Sequence, residues 1–284
     1  MNLTEFRKST FSSRPHFLLL GNPVDHSLSP LMHNTASEYY DIDIQYHAVN
    51  LEQSELSLLA AYLNKETFKG SNITIPYKQL LMDFVDQLDP TASKIGAINT
   101  IVKDEFTLTG YNTDSYGFSV PLQQYSDELE DTKAIIFGTG GATKAIIHAL
   151  KELNIPEVVV ISRNPEQRTE FNNFDSVYIT GYDNWTAYAE DALLIVNATP
   201  LGMSPRTDSA PIRNDESSLL EDKICYDIVY NPVKTKFLAM AEKAGARIVG
   251  GLEMLIHQGS KSFELWTGKP FPIEIVRNKV HGAI

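Results

Sequence analysis

Four short stretches in the first 115 residues carry polar side chains that could act together on one small molecule. The stretches are HSLSP (26–30), NITIPYK (72–78), GAINT (96–100) and GYNTD (110–114). They supply hydroxyls at Ser27 and Ser29, an ammonium group at Lys78, an amide at Asn99 and a carboxylate at Asp114. Hydroxyl, amide, ammonium and carboxylate groups that converge would suit a small polyhydroxy carboxylic acid.

Each of these residues also has an ordinary structural explanation. Ser29 and Asp114 could cap helix N-termini. Asn99 could satisfy backbone groups in a turn. Lys78 could be a solvated surface charge. The functional interpretation therefore depends on all of them occurring together, ahead of a nucleotide-binding pattern in the same chain.

A glycine-rich turn predicts that nucleotide site. GTGGATKA (138–145) follows an apolar run and opens an apolar helical pattern. Gly138 permits a tight turn, Gly140 lets the backbone approach a pyrophosphate, and Ala145 keeps the helix close to its strand. The helix N-terminus then attracts the anion. We expect the cofactor contacts of this turn at Gly138, Gly140, Gly141 and Ala142.

The residues after the next strand favour NADP as the cofactor. An NAD site usually places an acid there for the ribose 2′-hydroxyl, whereas an NADP site places an arginine for the 2′-phosphate. VVVISRNPEQR (158–168) has no acid at the strand end and offers Ser162, Arg163 and Asn164, with Arg168 further on. A forked guanidinium suits a phosphate, although an arginine here could also be an ordinary solvated side chain.

Hydrophobic periodicity divides the chain into two blocks of alternating strands and helices. In the first block we predict strands at 16–21, 45–49, 72–75, 98–102 and 106–111, and helices at 29–40 and 54–65 with Ser29 and Ser54 as N-caps. In the second block we predict strands at 133–138, 157–162, 193–199, 224–230 and 247–251, and helices at 142–153 and 252–266, with a long loop at 204–218. Such alternation is typical of parallel sheets covered by helices.

The fold class that follows is α/β with two domains. The first block, up to about residue 115, should form one α/β domain. Residues 116–251 should form a doubly wound parallel-sheet (Rossmann) domain that binds NADP. The first 15 residues precede these patterns, and we expect a disordered or loosely docked arm there.

Composition excludes several classes of protein. The net charge of −12 argues against non-specific nucleic-acid binding. A single cysteine, Cys225, permits neither an internal disulfide nor a cysteine-based metal cluster, and we predict no metal site. The longest apolar run near the N-terminus is too short for a signal segment or a membrane span. We therefore expect a cytoplasmic, soluble protein.

At the level of whole motifs, the sequence resembles the shikimate dehydrogenase family from about Phe17 to the last helix. The matching motifs are HSLSPLMHN, NITIPYK, GAINT, GYNTD, GTGGATKA, NATPLGM, YDIVYNP and GGLEMLIHQ. Eight motifs in this order are specific, although none would be alone. The resemblance implies an enzyme for the reversible, NADPH-dependent reduction of 3-dehydroshikimate to shikimate in aromatic amino acid biosynthesis. It also implies that residues 1–115, completed by the C-terminal helix 252–284, form a substrate-binding domain beside the cofactor domain 116–251. Since members of the family occur as monomers and as dimers, it implies a monomer or a homodimer.

The resemblance also implies roles for individual residues. Lys78 and Asp114 would be the catalytic pair, with Lys78 transferring the proton and Asp114 orienting it. Substrate would be bound by Ser27, Ser29, Asn72, Thr74, Asn99, Tyr230 and Gln258. Cofactor would be flanked by Asn197, Thr199, Leu201, Met203, Ile228, Gly251 and Met254, besides the residues of the glycine turn and of the strand end.

Some details depart from the family pattern, and other functions remain open. The second arginine, Arg168, stands one position later than is usual, so the second phosphate contact does not carry over securely. The nearest alternative is a quinate/shikimate dehydrogenase that uses NAD. A non-catalytic shikimate-binding regulator would be signalled by loss of Lys78 or Asp114, and both are present. A folate-type methylene dehydrogenase would not need the paired serines of HSLSP.

Overall fold

The computed structural model describes residues 1–171 and 174–284, which form two compact units. The first unit comprises Met1–Thr113 and Ile256–Ala283, and the second comprises Asp114–Leu255 together with Ile284. Each unit contains one six-stranded sheet with its own apolar core. Within the described residues, no helix is both long enough and apolar enough to cross a membrane.

The strands and helices have the following bounds. The strands are β1 His16–Gly21, β2 Gln45–Asn50, β3 Phe68–Ile73, β4 Gln87–Leu88, β5 Thr100–Asp104, β6 Thr107–Tyr111, β7 Lys133–Phe137, β8 Glu157–Ser162, β9 Val177–Gly181, β10 Ala192–Asn197, β11 Ile224–Asp227 and β12 Arg247–Val249. The helices are α1 Leu3–Lys8, α2 Ser29–Tyr39, α3 Leu56–Leu63, α4 Pro90–Ile95, α5 Asp114–Ser119, α6 Ser126–Leu129, α7 Thr143–Glu152, α8 Thr186–Ala189, α9 Lys236–Lys243, α10 Gly251–Thr267 and α11 Ile273–His281.

The sheet of the first unit is mixed. Its strand order is β2-β1-β3-β5-β6-β4, with β1 parallel to both β2 and β3 and with β5 antiparallel to β3 and β6. The carboxyl ends of β1 and β3 therefore lie at the same edge of the sheet. β5 and β6 form an antiparallel hairpin, closed by a turn at Glu105 and Phe106.

The sheet of the second unit is entirely parallel. Its order is β12-β11-β10-β7-β8-β9, and β7 pairs with β8 without a break and with β10 after one register shift between Ala192 and Leu194. β7, β8 and β10 are apolar along most of their length and are buried because helices cover both faces of such a sheet. From β7 the chain adds β8 and β9 on one side, and then adds β10, β11 and β12 on the other side. The boundary between β7 and β10 is the topological switch point of a doubly wound fold. The predicted α/β fold is confirmed.

Several predicted boundaries in the first unit are wrong. The third strand is Phe68–Ile73 and not 72–75, because the weak strand formers of FKGSN are held between β1 and β5, whereas Ile75 lies outside and is 64% exposed. Ser29 is the first helical residue of α2 and not its N-cap. Ser54 lies in a 3₁₀ turn, Gln53–Glu55, that precedes α3.

In the second unit several predicted strands are present but end earlier. β10, β11 and β12 end two or three residues before the predicted strand ends, because the chain turns away from the sheet at its carboxyl edge. Gly251, predicted as a strand residue, instead begins α10. The end of the predicted 204–218 loop is occupied by a 3₁₀ helix, Asn214–Leu220.

The expectation of a disordered or loosely docked N-terminal arm is also wrong. Leu3 and Phe6 of α1 are fully buried in the core of the first unit. Glu55 accepts hydrogen bonds at the start of α1, from the Thr4 backbone N–H (2.8 Å) and hydroxyl (2.6 Å) and from the Leu3 N–H (3.3 Å). Asn2 and Glu5 form a capping box, a signal that the sequence does contain. The arm is therefore part of the folded unit.

The charge of Glu55 is stabilised by the contacts that dock the arm. Burial opposes the charged form, but the hydrogen bonds from Thr4 and from the backbone amides of Glu52, Thr4 and Leu3 lower the pKa of Glu55. A carboxylate that accepts several N–H and O–H bonds at a helix N-terminus is favoured by both hydrogen bonding and the helix dipole.

We predict that Phe6→Ala destabilises the first unit by about 3 kcal/mol, because a buried aromatic ring is removed and a cavity is left. Urea unfolding followed by the fluorescence of Trp266, in a Trp185→Phe background, measures the first unit alone. The matched control is Phe106→Ala, whose ring is 91% exposed and whose loss should change the free energy by about 0.5 kcal/mol or less. Equal effects of the two variants would contradict a docked arm.

Candidate active site

In the first unit, the loop after β1 presents the two predicted serines. The Ser29 backbone N–H donates to Ser27 Oγ (3.2 Å), and the Ser27 hydroxyl donates to Ser29 Oγ (3.2 Å). Asn50, at the end of β2, holds the start of this loop by accepting a hydrogen bond from the Val24 N–H (2.9 Å). Ser29 is buried and Ser27 is half-buried, so the pair forms a small hydroxyl cluster beside the edge of the sheet.

Asn72, near the end of β3, lies at the centre of a buried hydrogen-bond network. The Tyr46 hydroxyl donates to Asn72 Oδ1 (2.8 Å). The Asn72 amide group donates to Ser262 Oγ (2.9 Å) and to Thr100 Oγ1 (3.0 Å). Three strands and α10 thus contribute to the orientation of one amide, which a buried amide needs because each unpaired polar atom costs free energy.

Asn99 forms the second centre of the same network. Its Oδ1 accepts hydrogen bonds from the Thr113 N–H (2.7 Å) and the Thr100 hydroxyl (3.0 Å). Its Nδ2 donates to Thr113 Oγ1 (2.9 Å) and lies 3.5 Å from Gln258 Oε1. The predicted residues Asn72, Asn99 and Gln258 are therefore brought together. Asn99 also satisfies a backbone amide, which was its ordinary structural explanation.

Four members of this network were not predicted from the sequence: Tyr46, Thr100, Thr113 and Ser262. Thr100 and Thr113 stand inside the quoted motifs GAINT and GYNTD, so their position beside Asn99 and Asp114 was a usable signal. Tyr46 and Ser262 carried no such signal. Burial raises the pKa of Tyr46 far above its ordinary value, against a smaller opposite effect of the Ser29 hydroxyl, so Tyr46 acts as a neutral donor.

Lys78 and Thr74 follow β3 and are held by backbone hydrogen bonds. The Thr74 N–H donates to Leu20 O (2.9 Å), which fixes it against the end of β1. The Ile98 N–H donates to Lys78 O (2.8 Å), one residue before Asn99. Both side chains are half-buried. The backbone of Lys78 therefore lies next to the segment that carries Asn99, at the edge where the serine loop also begins.

Asp114 belongs to the second unit. It is buried and is the first residue of α5, so it lies within the helix and not at the preceding cap position. Ser115, the next residue, contacts His148 of α7 through its hydroxyl (3.3 Å). α5 and α7 pack together beside the parallel sheet.

The glycine turn between β7 and α7 has the shape that the sequence predicted. Gly138 has φ +108°, and a Cβ there would lie 2.9 Å from Ala198 O, so only glycine fits. A Cβ on Gly141 would meet no atom within 4 Å, and one on Gly140 would meet only Ala198 O at 3.9 Å. Ala142 precedes α7 without a side-chain cap. The helix N-terminus is thus open to an anion.

The end of β8 presents a mixed set of side chains. Ser162 is buried, and its Oγ accepts a hydrogen bond from the Asn164 N–H (3.2 Å). Arg163 and Asn164 are exposed. Burial raises the pKa of Tyr182, and the nearby positive charge of Arg163 partly offsets this rise. Arg168 Nη1 lies 3.6 Å from Glu170 Oε1, whereas the buried Nε of Arg168 has no hydrogen-bond partner among the described residues.

Asn197 organises the turn after β10. Its Oδ1 accepts from the Thr199 N–H (3.0 Å) and hydroxyl (2.6 Å), and its Nδ2 donates to Leu201 O (3.1 Å). Thr199 Oγ1 in turn accepts from the Leu201 N–H (3.1 Å). Met203, further along, is 48% exposed. The predicted residues of NATPLGM therefore form a closed turn, with one exposed apolar side chain.

The remaining predicted residues lie around the start of α10. A Cβ on Gly251 would lie 2.4 Å from the carbonyl carbon and oxygen of Ile228. Only glycine therefore fits at the first residue of α10. Met254 is buried in the core, against which Ile228 packs. Tyr230 is half-buried, and burial raises the pKa of its hydroxyl.

Two family models match the chain, at its two ends. Residues 19–101 match the shikimate dehydrogenase substrate binding domain, and residues 251–281 match the shikimate 5′-dehydrogenase C-terminal domain.

Individual relatives extend this similarity over most of the chain. A shikimate dehydrogenase (NADP(+)) of Moorella thermoacetica is 38% identical over 94% of this chain and 92% of its own. The shikimate 5-dehydrogenase of Thermus thermophilus, solved in complex with NADP(H) and shikimate, is 32% identical with a TM-score of 0.84, covering 95% of this chain and all (100%) of that one. The quinate dehydrogenase of Corynebacterium glutamicum, solved in complex with NAD, is 25% identical with a TM-score of 0.85, covering 95% and 99%.

Because this chain is 38% identical to a shikimate dehydrogenase over 94% of its length, it belongs to the shikimate dehydrogenase family.

Proposed function

We propose that this protein catalyses the reversible, NADPH-dependent reduction of 3-dehydroshikimate to shikimate, a step in aromatic amino acid biosynthesis. The observation that carries the proposal is the buried network of the first unit, in which Asn72, Asn99 and Gln258 share one set of hydrogen bonds. Such a set of neutral donors and acceptors suits the ring hydroxyls of a small polyhydroxy acid.

Most of the residues that we propose to bind substrate belong to the first unit, and Tyr230 belongs to the second. Ser27 and Ser29 would hold the carboxylate, since two hydroxyls can both donate to it. Asn72, Thr74 and Asn99 would bind ring hydroxyls. Tyr230 and Gln258 complete the proposed set of substrate residues. In this proposal residues 1–115 with 252–284 form the substrate-binding domain, and residues 116–251 form the NADP-binding domain.

The cofactor assignment is supported by the shape of the second unit. Because Gly138 lacks a Cβ and Gly140 and Gly141 are open, backbone N–H groups can approach a pyrophosphate at the start of α7. Arg163 would bind the 2′-phosphate, with Ser162 and Asn164 beside it. Asn197, Thr199, Leu201, Met203, Ile228, Gly251 and Met254 would flank the rest of the cofactor. When bound, NADPH supplies the hydride.

Lys78 would act on the oxygen where negative charge develops. Reduction of a ketone makes that oxygen more basic, so an ammonium group placed beside it can both stabilise the charge and donate the proton. Asp114 would orient the ammonium group by charge-assisted hydrogen bonding. In the reverse direction the same nitrogen would take the proton from the substrate hydroxyl.

We predict that Lys78→Ala lowers kcat by about a hundredfold or more, with a change of KM for shikimate of about threefold or less. The readout is NADPH absorbance with shikimate and NADP+ supplied. Lys94→Ala, which removes an exposed lysine of the same unit, is the matched control and should leave both constants unchanged. A kcat of Lys78→Ala close to that of the control would contradict the proton-transfer role.

The cofactor choice gives a second prediction. Arg163→Ala should raise KM for NADP+ by about 10- to 100-fold, the worth of a charge-assisted hydrogen bond, and should leave KM for NAD+ nearly unchanged. Initial rates with each cofactor measure this. The control is Arg206→Ala, another exposed arginine of the second unit. Equal rises in KM for NADP+ and for NAD+ in Arg163→Ala would exclude recognition of the 2′-phosphate by Arg163.

The same assay with the wild-type protein tests the choice of substrate. Faster oxidation of quinate than of shikimate would favour a quinate dehydrogenase.

A third prediction concerns Tyr46, whose hydroxyl orients Asn72. Tyr46→Phe should lower kcat/KM for shikimate by about tenfold, because one hydrogen bond that fixes a binding amide is lost. KM for NADP+ should not change. Tyr39→Phe, at a 55% exposed position on α2, is the control. If Tyr46→Phe had wild-type kcat/KM, Asn72 would not depend on this hydroxyl.

A further inference from the structure

Asp227 is a buried acid that the proposed mechanism does not use. It ends β11, within the motif YDIVYNP, and its exposed fraction is 0%. A carboxylate removed from water costs free energy unless hydrogen bonds replace the lost hydration. Burial accordingly raises the pKa of Asp227 to about 6, in spite of hydrogen bonds from Thr235, Val229 and Asn197 that act to lower it. The hydrogen bonds of Asp227 therefore indicate what this buried acid does.

The hydrogen bonds of Asp227 are divided between its two oxygens. Oδ1 accepts from Asn197 Nδ2 (3.0 Å) and from the Val229 N–H (2.9 Å). Oδ2 accepts from the Thr235 hydroxyl (2.6 Å). One oxygen therefore faces the end of the neighbouring strand β10, and the other faces the start of α9.

The contact with Asn197 reaches the proposed cofactor turn. The Asn197 amide that donates to Asp227 also donates to Leu201 O, and its oxygen binds Thr199. Asp227 therefore fixes the direction of the Asn197 amide, with the donor side toward Leu201 O and the acceptor side toward Thr199.

The 197–201 turn contacts the glycine turn at Gly138. Ala198 O stands 2.9 Å from the position that a Cβ on Gly138 would occupy, so the two turns are in direct backbone contact. A displacement of the 197–201 turn would therefore disturb the shape of the proposed phosphate site.

The contact with Thr235 has a different purpose. Thr235 is the N-cap of α9, and its Oγ1 accepts from the Leu238 N–H (3.3 Å). This interaction secures the helix, with no hydrogen bond to Asn197 or Thr199. The two oxygens of Asp227 can therefore be tested separately.

We propose that Asp227 is a positioning residue for the cofactor, which acts by orienting the Asn197 amide and through it the 197–201 turn. The inference rests on the proposed NADP-binding role of the second unit. It predicts that loss of the Oδ1 acceptor weakens NADP+ binding, whereas loss of the Thr235 contact weakens the fold only.

The test compares three variants of the full chain by NADP+ titration without shikimate and by steady-state kinetics. Asp227→Ala should raise Kd for NADP+ about tenfold or more, with KM for shikimate changed by about twofold or less. Asp227→Asn, whose amide oxygen can still accept from Asn197 and whose amide nitrogen can donate to Thr235, should bind NADP+ within about threefold of wild type. Thr235→Val should lower the Tm while Kd stays within about threefold.

Each outcome decides between positioning and a merely structural role. If Asp227→Ala lowered the Tm but bound NADP+ with wild-type Kd, or raised KM for shikimate as much as Kd for NADP+, the proposal would be overturned. If Asp227→Ala did not fold, Asp227→Glu would replace it, because one added methylene moves the carboxylate by about 1.5 Å without removing its charge. The same rise in Kd is expected, and an unchanged Kd would overturn the proposal.

Failure of the proposed function would be seen separately. If the wild-type protein bound NADP+ but did not oxidise shikimate, the proposed reaction would be wrong. The Kd values of the variants would still decide the role of Asp227.

Discussion

A buried amide must find a partner for each of its hydrogen-bonding atoms, and both units of this protein are arranged around that requirement. In the first unit Asn72 and Asn99 are satisfied by residues from β2, β5 and α10 and from the segment that follows β6. In the second unit Asn197 is satisfied by Asp227 and by its own turn. Each amide has two donors and two acceptor sites in a fixed plane, so each fixes the direction of the chain segments around it.

The position of these amides follows from sheet geometry. Asn72 lies one residue before the end of β3, which has one parallel and one antiparallel neighbour, and Asn197 ends β10, whose neighbours are both parallel. Loops leave the sheet at these strand ends, and beyond them the backbone groups are no longer paired by the ladder. A side-chain amide at this point replaces the missing backbone partners. The same edge is where ligands of α/β proteins bind. Structural satisfaction and ligand recognition therefore involve the same residue types.

Buried carboxylates hold the more distant elements in place. Glu55 binds the first turn of α1, and Asp227 binds the first turn of α9 through Thr235. The environments of the two acids differ. For Glu55, several hydrogen bonds from the start of α1 outweigh the effect of burial and lower the pKa, whereas for Asp227 burial outweighs the hydrogen bonds and raises the pKa. Both carboxylates stabilise a helix N-terminus, but the free-energy cost of burying the charge is larger for Asp227 than for Glu55.

The sequence by itself determined the class of fold, the glycine turn and three residues of the buried network in the first unit, Asn72, Asn99 and Gln258. These features depend on local properties: apolar periodicity, the freedom of Gly138 to adopt a positive φ, and motifs such as GAINT that keep Asn99 beside Thr100. Only the tertiary structure decided the bounds of β3, the docking of α1, and the contacts of Tyr46, Ser262 and Asp227. Each of these depends on partners far away in the chain. Tyr46 binds Asn72, Ser262 lies 190 residues beyond Asn72, and Glu55 lies 51 residues beyond Thr4. Local patterns carry no record of such contacts, because their free energy arises only when folding removes the groups from water.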